Sequence, residues 1–233
     1  VTLSFYPDTN IRSIRYTCDS LGMHKVNLWV TDQITGLQDY CTTTITIQDN
    51  NKICGNRPTL NANIAGLIVT PFDQPVSEVT LRVDGPQGIL QKEFNGNFEF
   101  TNLRIGDDYK VTALVDKNYL DGVSTMDIVK IQRHILGTET FPSPWHLLAA
   151  DVNGDHRVTA ADIAAVRKLI LGVDGKYKSN LSWMFLDANY QFPDPNDPWI
   201  ENLPSEYNII SLAGPMMYAD FRGIKVGDVS QTT

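Results

Sequence analysis

The chain has 233 residues, a formal net charge of −8 and 42% hydrophobic residues. That length suits two or three small domains, the acidity argues against a nucleic-acid surface, and no apolar run approaches the roughly 20 residues a membrane-spanning helix needs. No signal peptide is read at the start of the chain, and the strand pattern is already under way at Val1, so the chain is expected to be a piece of something longer.

Residues 1–50 alternate like strands: Val1 to Phe5, Ile14 to Thr17, Lys25 to Val30 and Thr42 to Ile47, with turn residues between them. Cys18 and Cys41 fall in segments that read as strands, and a bridge between them suits an exported protein. Cys54 is then left over, free or paired elsewhere. The stretches Cys18-Asp-Ser-Leu-Gly22, Trp29-Val-Thr-Asp32 and Tyr40-Cys41-Thr resemble the last part of a bacterial Ig-like repeat of the hyalin-repeat or PKD-like kind. Four strands are few for such a sandwich, so earlier strands are missing or a partner supplies them; an incomplete sheet leaves an edge open to another chain. Residues 51–61 read as a polar linker with Gly55 and Pro58.

Residues 62–115 form a second β unit. Its strands read as Ile64 to Val69, Val79 to Val83, Gly88 to Leu90, Asn97 to Phe100 and Tyr109 to Leu114. The Asn95-Gly96-Asn97 step and the Leu103-x-x-Gly106-x-x-Tyr109 spacing resemble a Cna-B-like or carboxypeptidase-regulatory-like sandwich. With Val115 followed at once by Asp116, this sandwich is expected to couple rigidly to what comes next.

The next stretch, 116–172, is written twice. Asp116 to Gly137 and Asp151 to Gly172 keep a register of 35, the difference between 151 and 116. A period seen only twice marks a duplicated motif and not a solenoid. In the second copy Asp151, Asn153 and Asp155 occupy positions 1, 3 and 5 of a twelve-residue loop. Arg157 stands at 7, offering its backbone carbonyl, Thr159 at 9 and Asp162 at 12. Alternate residues of a tight loop converge on one point, and hard oxygen donors there suit calcium. Carboxylates sharing so small a volume repel without a cation. Thr159-x-x-Asp162 also reads as a capping box. Position 6 is His156, where a positive φ is uncommon for any residue but glycine.

The first copy keeps Asp116, Asn118, Ser124 and Asp127 but has Leu120 at position 5. The Leu120 carbonyl, or Asp121 swinging inward, fills that gap, and Gly122 offers a carbonyl at 7. With one charged ligand fewer, this loop is expected to bind calcium more weakly. Two calcium ions are therefore expected, the second loop's being the firmer. Each loop leads into a helix with one apolar face, Ile128, Ile131 and Ile135 in one and Ile163, Val166 and Ile170 in the other. Neither helix is long enough to be stable alone, so they must pack together. Trp145, Leu147 and Leu148 are expected to cap the gap between them.

A calcium loop followed by one helix, twice, each closed by Ile-Leu-Gly, resembles a type I dockerin. Gly122 to Asp127 and Leu148 to Asn153 further resemble non-cellulosomal modules near the ends of large secreted proteins of Bacteroidetes-type bacteria. The resemblance implies two calcium-loop–helix units packed face to face. It also implies contact with a cohesin partner through loop positions 10 and 11, here Thr125 and Met126, and Ala160 and Ala161. The two copies differ at those positions, which argues against a symmetric, two-way binding mode.

Residues 173–233 carry Trp183, Phe185, Tyr190, Phe192, Trp199, Tyr207, Tyr218 and Phe221 among prolines and acids. Ser182-Trp183-x-Phe185-x-Asp187 and Phe192-Pro-Asp194-Pro resemble the extension that follows such modules. These aromatics stack on sugars or pack against the helices or the sandwich; the area each one buries favours packing. Asp220 to Val229 reads as a closing strand and turn.

The expected fold class is mainly β with a small α module: Ig-like β-sandwiches followed by a duplicated calcium-loop–helix unit. No His-Glu-x-x-His, Gly-x-Ser-x-Gly or phosphate loop is present, so an enzyme is not expected. The leading reading is a calcium-stabilised structural or adhesive segment of a secreted or cell-surface protein, assembling with a protein partner or a neighbouring protomer. Docking to a cohesin-like partner and carbohydrate binding as an appendage of a hydrolase are the alternatives.

Overall fold

A computed structural model describes residues 1–50, 54 and 61–231. The expected linker 51–61 lies outside the described residues except for Cys54 and Asn61. Among the described residues the chain is mainly β, with three short helices between its eighth and ninth strands.

The first sheet holds β1 (Thr2–Ser4), β2 (Gly22–Thr31) and β3 (Gln38–Ile47), in that order. Both pairings are antiparallel. Ile14 to Thr17 forms no strand. Trp29 and Tyr40, paired across β2 and β3, stack at 4.6 Å, a cross-strand contact of the kind that stabilises a sheet.

The cysteine pairing departs from expectation. Cys18 bonds Cys54, and Cys41 is free and exposed. The register explains it. Cys41 stands opposite Leu28, in the middle of the β2–β3 ladder. Cys18 lies in the short turn Cys18–Ser20 before Gly22, which pairs with Ile47 at the far end of β3. At roughly 3.3 Å per residue, the six residues from 41 to 47 put Cys41 about 20 Å from that end. Cys54 follows soon after β3, and its N–H donates to Asp49 at 2.9 Å.

Eleven strands in all form among the described residues, and the other eight build two four-stranded sheets. They are β4 (Asn61–Val69), β5 (Val79–Gly85), β6 (Gly88–Phe94), β7 (Asn97–Arg104), β8 (Tyr109–Leu114), β9 (Trp183–Asp187), β10 (Glu206–Ile209) and β11 (Phe221–Lys225). One sheet has the order β10-β8-β5-β6 and the other β7-β4-β11-β9. Sequence pattern closes this sandwich at Val115, but three of its strands come from residues 173–233. β11 runs parallel to β4 and antiparallel to β9, and β10 runs antiparallel to β8. Between the sheets lie Ile64, Ile68, Leu81, Val83, Phe98, Val111, Phe185 and Phe221, all buried. Alternation along β4, β5, β7 and β8 sends every second apolar side chain inward.

The helices are α1 (Thr125–Ile135), α2 (Pro144–Ala150) and α3 (Ala160–Ile170). α1 and α3 end alike. Gly137 and Gly172 adopt φ of +69° and +68°. The N–H of Thr138 then reaches Arg133 O at 3.0 Å, and that of Val173 reaches Lys168 O at 2.9 Å. Those bonds satisfy carbonyls that a helix end leaves open. The apolar faces are narrower than the spacing suggests. Ile131 and Val166 are fully buried, but Ile135 is exposed, and Leu169 takes the place expected for Ile170. Leu147 and Leu148 are buried, and Trp145 packs edge-on to Phe192 at 4.9 Å. Tyr177, Leu186, Ile224, Val226 and Val229 complete this second core.

Candidate metal centre

Both loops lead into α1 and α3 through the same cap. Ser124 Oγ accepts the Met126 N–H at 3.2 Å, and Asp127 Oδ2 accepts the Ser124 N–H at 2.7 Å. Thr159 Oγ1 accepts the Ala161 N–H at 3.2 Å, and Asp162 Oδ2 accepts the Thr159 N–H at 2.8 Å. Each is a capping box with aspartate at the third helical position. Asp127 and Asp162 are fully buried. Beyond the caps the loops diverge.

The second loop curls around its own acids. Asp151, buried at the end of α2, accepts N–H groups from Asp155 at 3.0 Å and from His156 at 2.9 Å. Asn153 accepts the Asp155 N–H at 2.9 Å and donates from Nδ2 to Asp155 Oδ2 at 3.0 Å. Asp162 Oδ1 points back into the loop and accepts the N–H groups of Val152 at 2.9 Å and Asn153 at 3.1 Å. Gly154 and His156, loop positions 4 and 6, take φ of +70° and +65°. The positive φ at His156 is the turn that position 6 requires. Its ring stacks on Trp199 at 6.1 Å. Arg157 is exposed and Thr159 half-buried.

Among the described residues no three acidic, histidine or cysteine side chains stand close enough together to hold a metal; the carboxylates of this loop face N–H groups instead. Burial pushes the Asp151 carboxyl above the usual carboxylate range, the Asp162 and Asp155 charges add to that, and the N–H groups of His156 and Asp155 oppose it. Asp151, Asn153, Asp155 and Asp162 are hard oxygen donors of the kind calcium takes, held on one twelve-residue loop, and with their N–H partners released they would hold a calcium ion. A divalent cation there would relieve both the burial of Asp151 and the repulsion among the acids.

The first loop is built differently. The Tyr119 hydroxyl donates to Asp116 Oδ1. Tyr119 stands where the second loop has Gly154, is buried, and packs edge-on against Tyr177 at 5.4 Å. Leu120, at position 5, is exposed and brings no side-chain oxygen. Positive φ falls at Asn118 (+53°) and Gly122 (+70°), positions 3 and 7. The Asn118 carbonyl accepts the Asp121 N–H at 3.1 Å and the Lys225 ammonium at 2.5 Å. Asp127 Oδ1 turns away from its loop and accepts the Ser230 N–H at 2.8 Å. Lys225, on β11, is buried; burial pulls its ammonium down to about 8, with Asp121 and Asp228 acting in the opposite sense. In this arrangement the first loop's residues do not fit a calcium ion.

Residues of the tail that the loop pattern does not reveal tie the two loops together. Asn180 Nδ2 donates to the Asp151 carbonyl at 2.9 Å, and the Asn180 carbonyl lies 3.4 Å from the Tyr119 hydroxyl, whose proton goes to Asp116. Ser182, fully buried, accepts the Lys117 N–H at 3.1 Å and donates to Val115 O at 2.9 Å. No ligand spacing marks these residues, because they lie outside the repeat. The only signal is the Ser182-Trp183-x-Phe185 phrasing itself.

The positions equivalent to loop residues 10 and 11, Thr125, Met126, Ala160 and Ala161, are all exposed, in the first turns of α1 and α3. Of the aromatics weighed for sugar stacking, Trp183, Phe185 and Phe221 are buried. Among known families, residues 116–171 match the Dockerin type I domain. Searches of curated proteins and of solved structures found no match for the chain.

Proposed function

We propose that this chain is a non-catalytic segment of a secreted or cell-surface bacterial protein, and that calcium in the second loop rigidifies the junction between a β-sandwich and a helical module. The observation that carries this reading is a loop in which Asp155 bonds Asp151 and Asn153, Asp162 reaches back to residues 152 and 153, and the tail grips the whole through Asn180. The match of 116–171 to a dockerin domain supports it. The Cys18–Cys54 bond suits an oxidising, extracytoplasmic setting.

Calcium bound only to the folded state stabilises by mass action. At a hundredfold excess over its dissociation constant that is about 2.7 kcal/mol. Thermal unfolding with added calcium and with EDTA tests this. The melting temperature rises with calcium and falls back with chelator; a curve indifferent to both defeats the reading.

A second reading, docking to a cohesin-like partner, is favoured by the exposure of Thr125, Met126, Ala160 and Ala161. Pull-down against cohesins, with Thr125→Glu and Met126→Glu compared to the parent chain, separates it from a purely structural role. The three-stranded first sheet, with β3 exposed along most of its length, supports assembly with another chain. A strict monomer in gel filtration at high concentration counts against that.

A further inference from the structure

We propose that the first of the two duplicated loops takes no calcium, and that the ammonium of Lys225, brought in on β11, is its resident cation. This departs from the expectation of two ions, and it rests on the reading of the second loop as the calcium site.

The comparison between the copies carries it. At position 12 of the second loop, the second carboxylate oxygen turns inward to the N–H groups of residues 152 and 153. At position 12 of the first, the corresponding oxygen of Asp127 is held outward by Ser230, at the far end of the chain. At position 1, Asp151 faces the backbone of positions 5 and 6, and Asp116 instead takes the hydroxyl of Tyr119. Position 4 is a glycine in one loop and a buried tyrosine in the other. Position 5 is an aspartate in one and an exposed leucine in the other. Three of the oxygen donors a calcium ion would need are thus turned away, engaged or missing.

A positive charge is nevertheless present. Lys225 Nζ lies 2.5 Å from the Asn118 carbonyl and 5.8 Å from the centre of the Trp183 ring. A buried ammonium needs acceptors or counter-charges around it. The loop supplies a carbonyl, Trp183 a ring face, and Asp121 and Asp228 stand close enough to act on it. The charge of Asp121, the acid displaced from position 5 to position 6, favours the ammonium form of that lysine. A covalently attached cation needs no calcium in the medium, so this half of the module would be set permanently and only the other half would respond to calcium.

The test is calcium stoichiometry of the whole chain, by native mass spectrometry and isothermal titration, for the parent, Asp155→Ala and Asp116→Ala. One ion, lost in Asp155→Ala and retained in Asp116→Ala, is the expected result. Two ions, or one ion lost with Asp116→Ala, overturns the inference. Complete absence of binding defeats the calcium reading of the second loop while upholding the exclusion from the first, so the two failures are distinguishable. Lys225→Met is then expected to melt several degrees lower at every calcium concentration, because no ion from solution replaces the ammonium. A Lys225→Met chain that melts like the parent overturns the role given to Lys225.

Discussion

Gly227 shows how closely the tail is fitted to the module. It sits at φ +91°, and a Cβ there would collide with the hydroxyl of Tyr177, itself buried. Its N–H donates to Ala149 O at 2.8 Å, so the backbone has little room to retreat. Gly227→Ala is expected to lose about 1–3 kcal/mol, the range for overpacking a core, read as a lower midpoint in urea unfolding. The sequence shows Gly227-Asp228 as a turn, but nothing in it reveals that Tyr177, fifty positions earlier, closes over that turn. The cysteines teach the same lesson. Their residue types suggested a bridge, and the choice between Cys41 and Cys54 followed from the register of β2 on β3.

At the scale of elements, the duplicated helices carry two predictions. Leu169 is buried between α3 and its neighbours, and Ile135 is 39% exposed at the end of α1. Leu169→Ala is expected to cost about 2–5 kcal/mol and Ile135→Ala within about 0.5 kcal/mol, measured by chemical denaturation. Period alone assigned the burden to Ile135 and Ile170; the structure places it on Leu169 and leaves Ile135 exposed. The connection between α1 and α2 is sensitive to acid. His134 stacks on Phe141 at 4.3 Å and accepts the Phe141 N–H at Nδ1, 3.1 Å away. Burial holds the His134 imidazole below its ordinary value; burial does the same to His146, with Lys130 adding. A histidine depressed in the fold contributes fully above its unfolded value near 6.5 and loses that contribution as pH falls through and below it. Melting temperature is therefore expected to drop between pH 7.5 and pH 5.5. His134→Gln, which keeps an acceptor for Phe141 and cannot protonate, should flatten part of that drop.

At the scale of the whole molecule, the helical module leaves the sandwich after β8 and the chain returns to it as β9. The segment before β11 runs along β4: Ala219 donates to Ala65 O at 3.0 Å, and Asp220 accepts the Leu67 N–H at 2.7 Å. Gly66 lets this happen, since a Cβ there would lie 2.5 Å from the Ala219 carbonyl oxygen. A chain ending at Gly172 is expected to lose cooperative unfolding, because Ile64, Phe98 and the rest of the core would lose Phe185 and Phe221 from the neighbouring strands of their own sheet. Gly66→Ala, a milder lesion of the same seam, should lower the unfolding midpoint without abolishing the transition. Sequence alone determined what consecutive residues can express: the 35-residue duplication, the oxygen donors of the second loop, the cap of α3, the glycine stops of α1 and α3, and the alternation of β4, β5, β7 and β8. Tertiary structure alone decided which cysteines pair, how the first loop departs from its copy, and that the tail's aromatics and strands build the core. Ligand spacing and capping act within a few bonds along the chain, whereas strand partners and the placement of Lys225 depend on surfaces more than a hundred residues apart competing for burial.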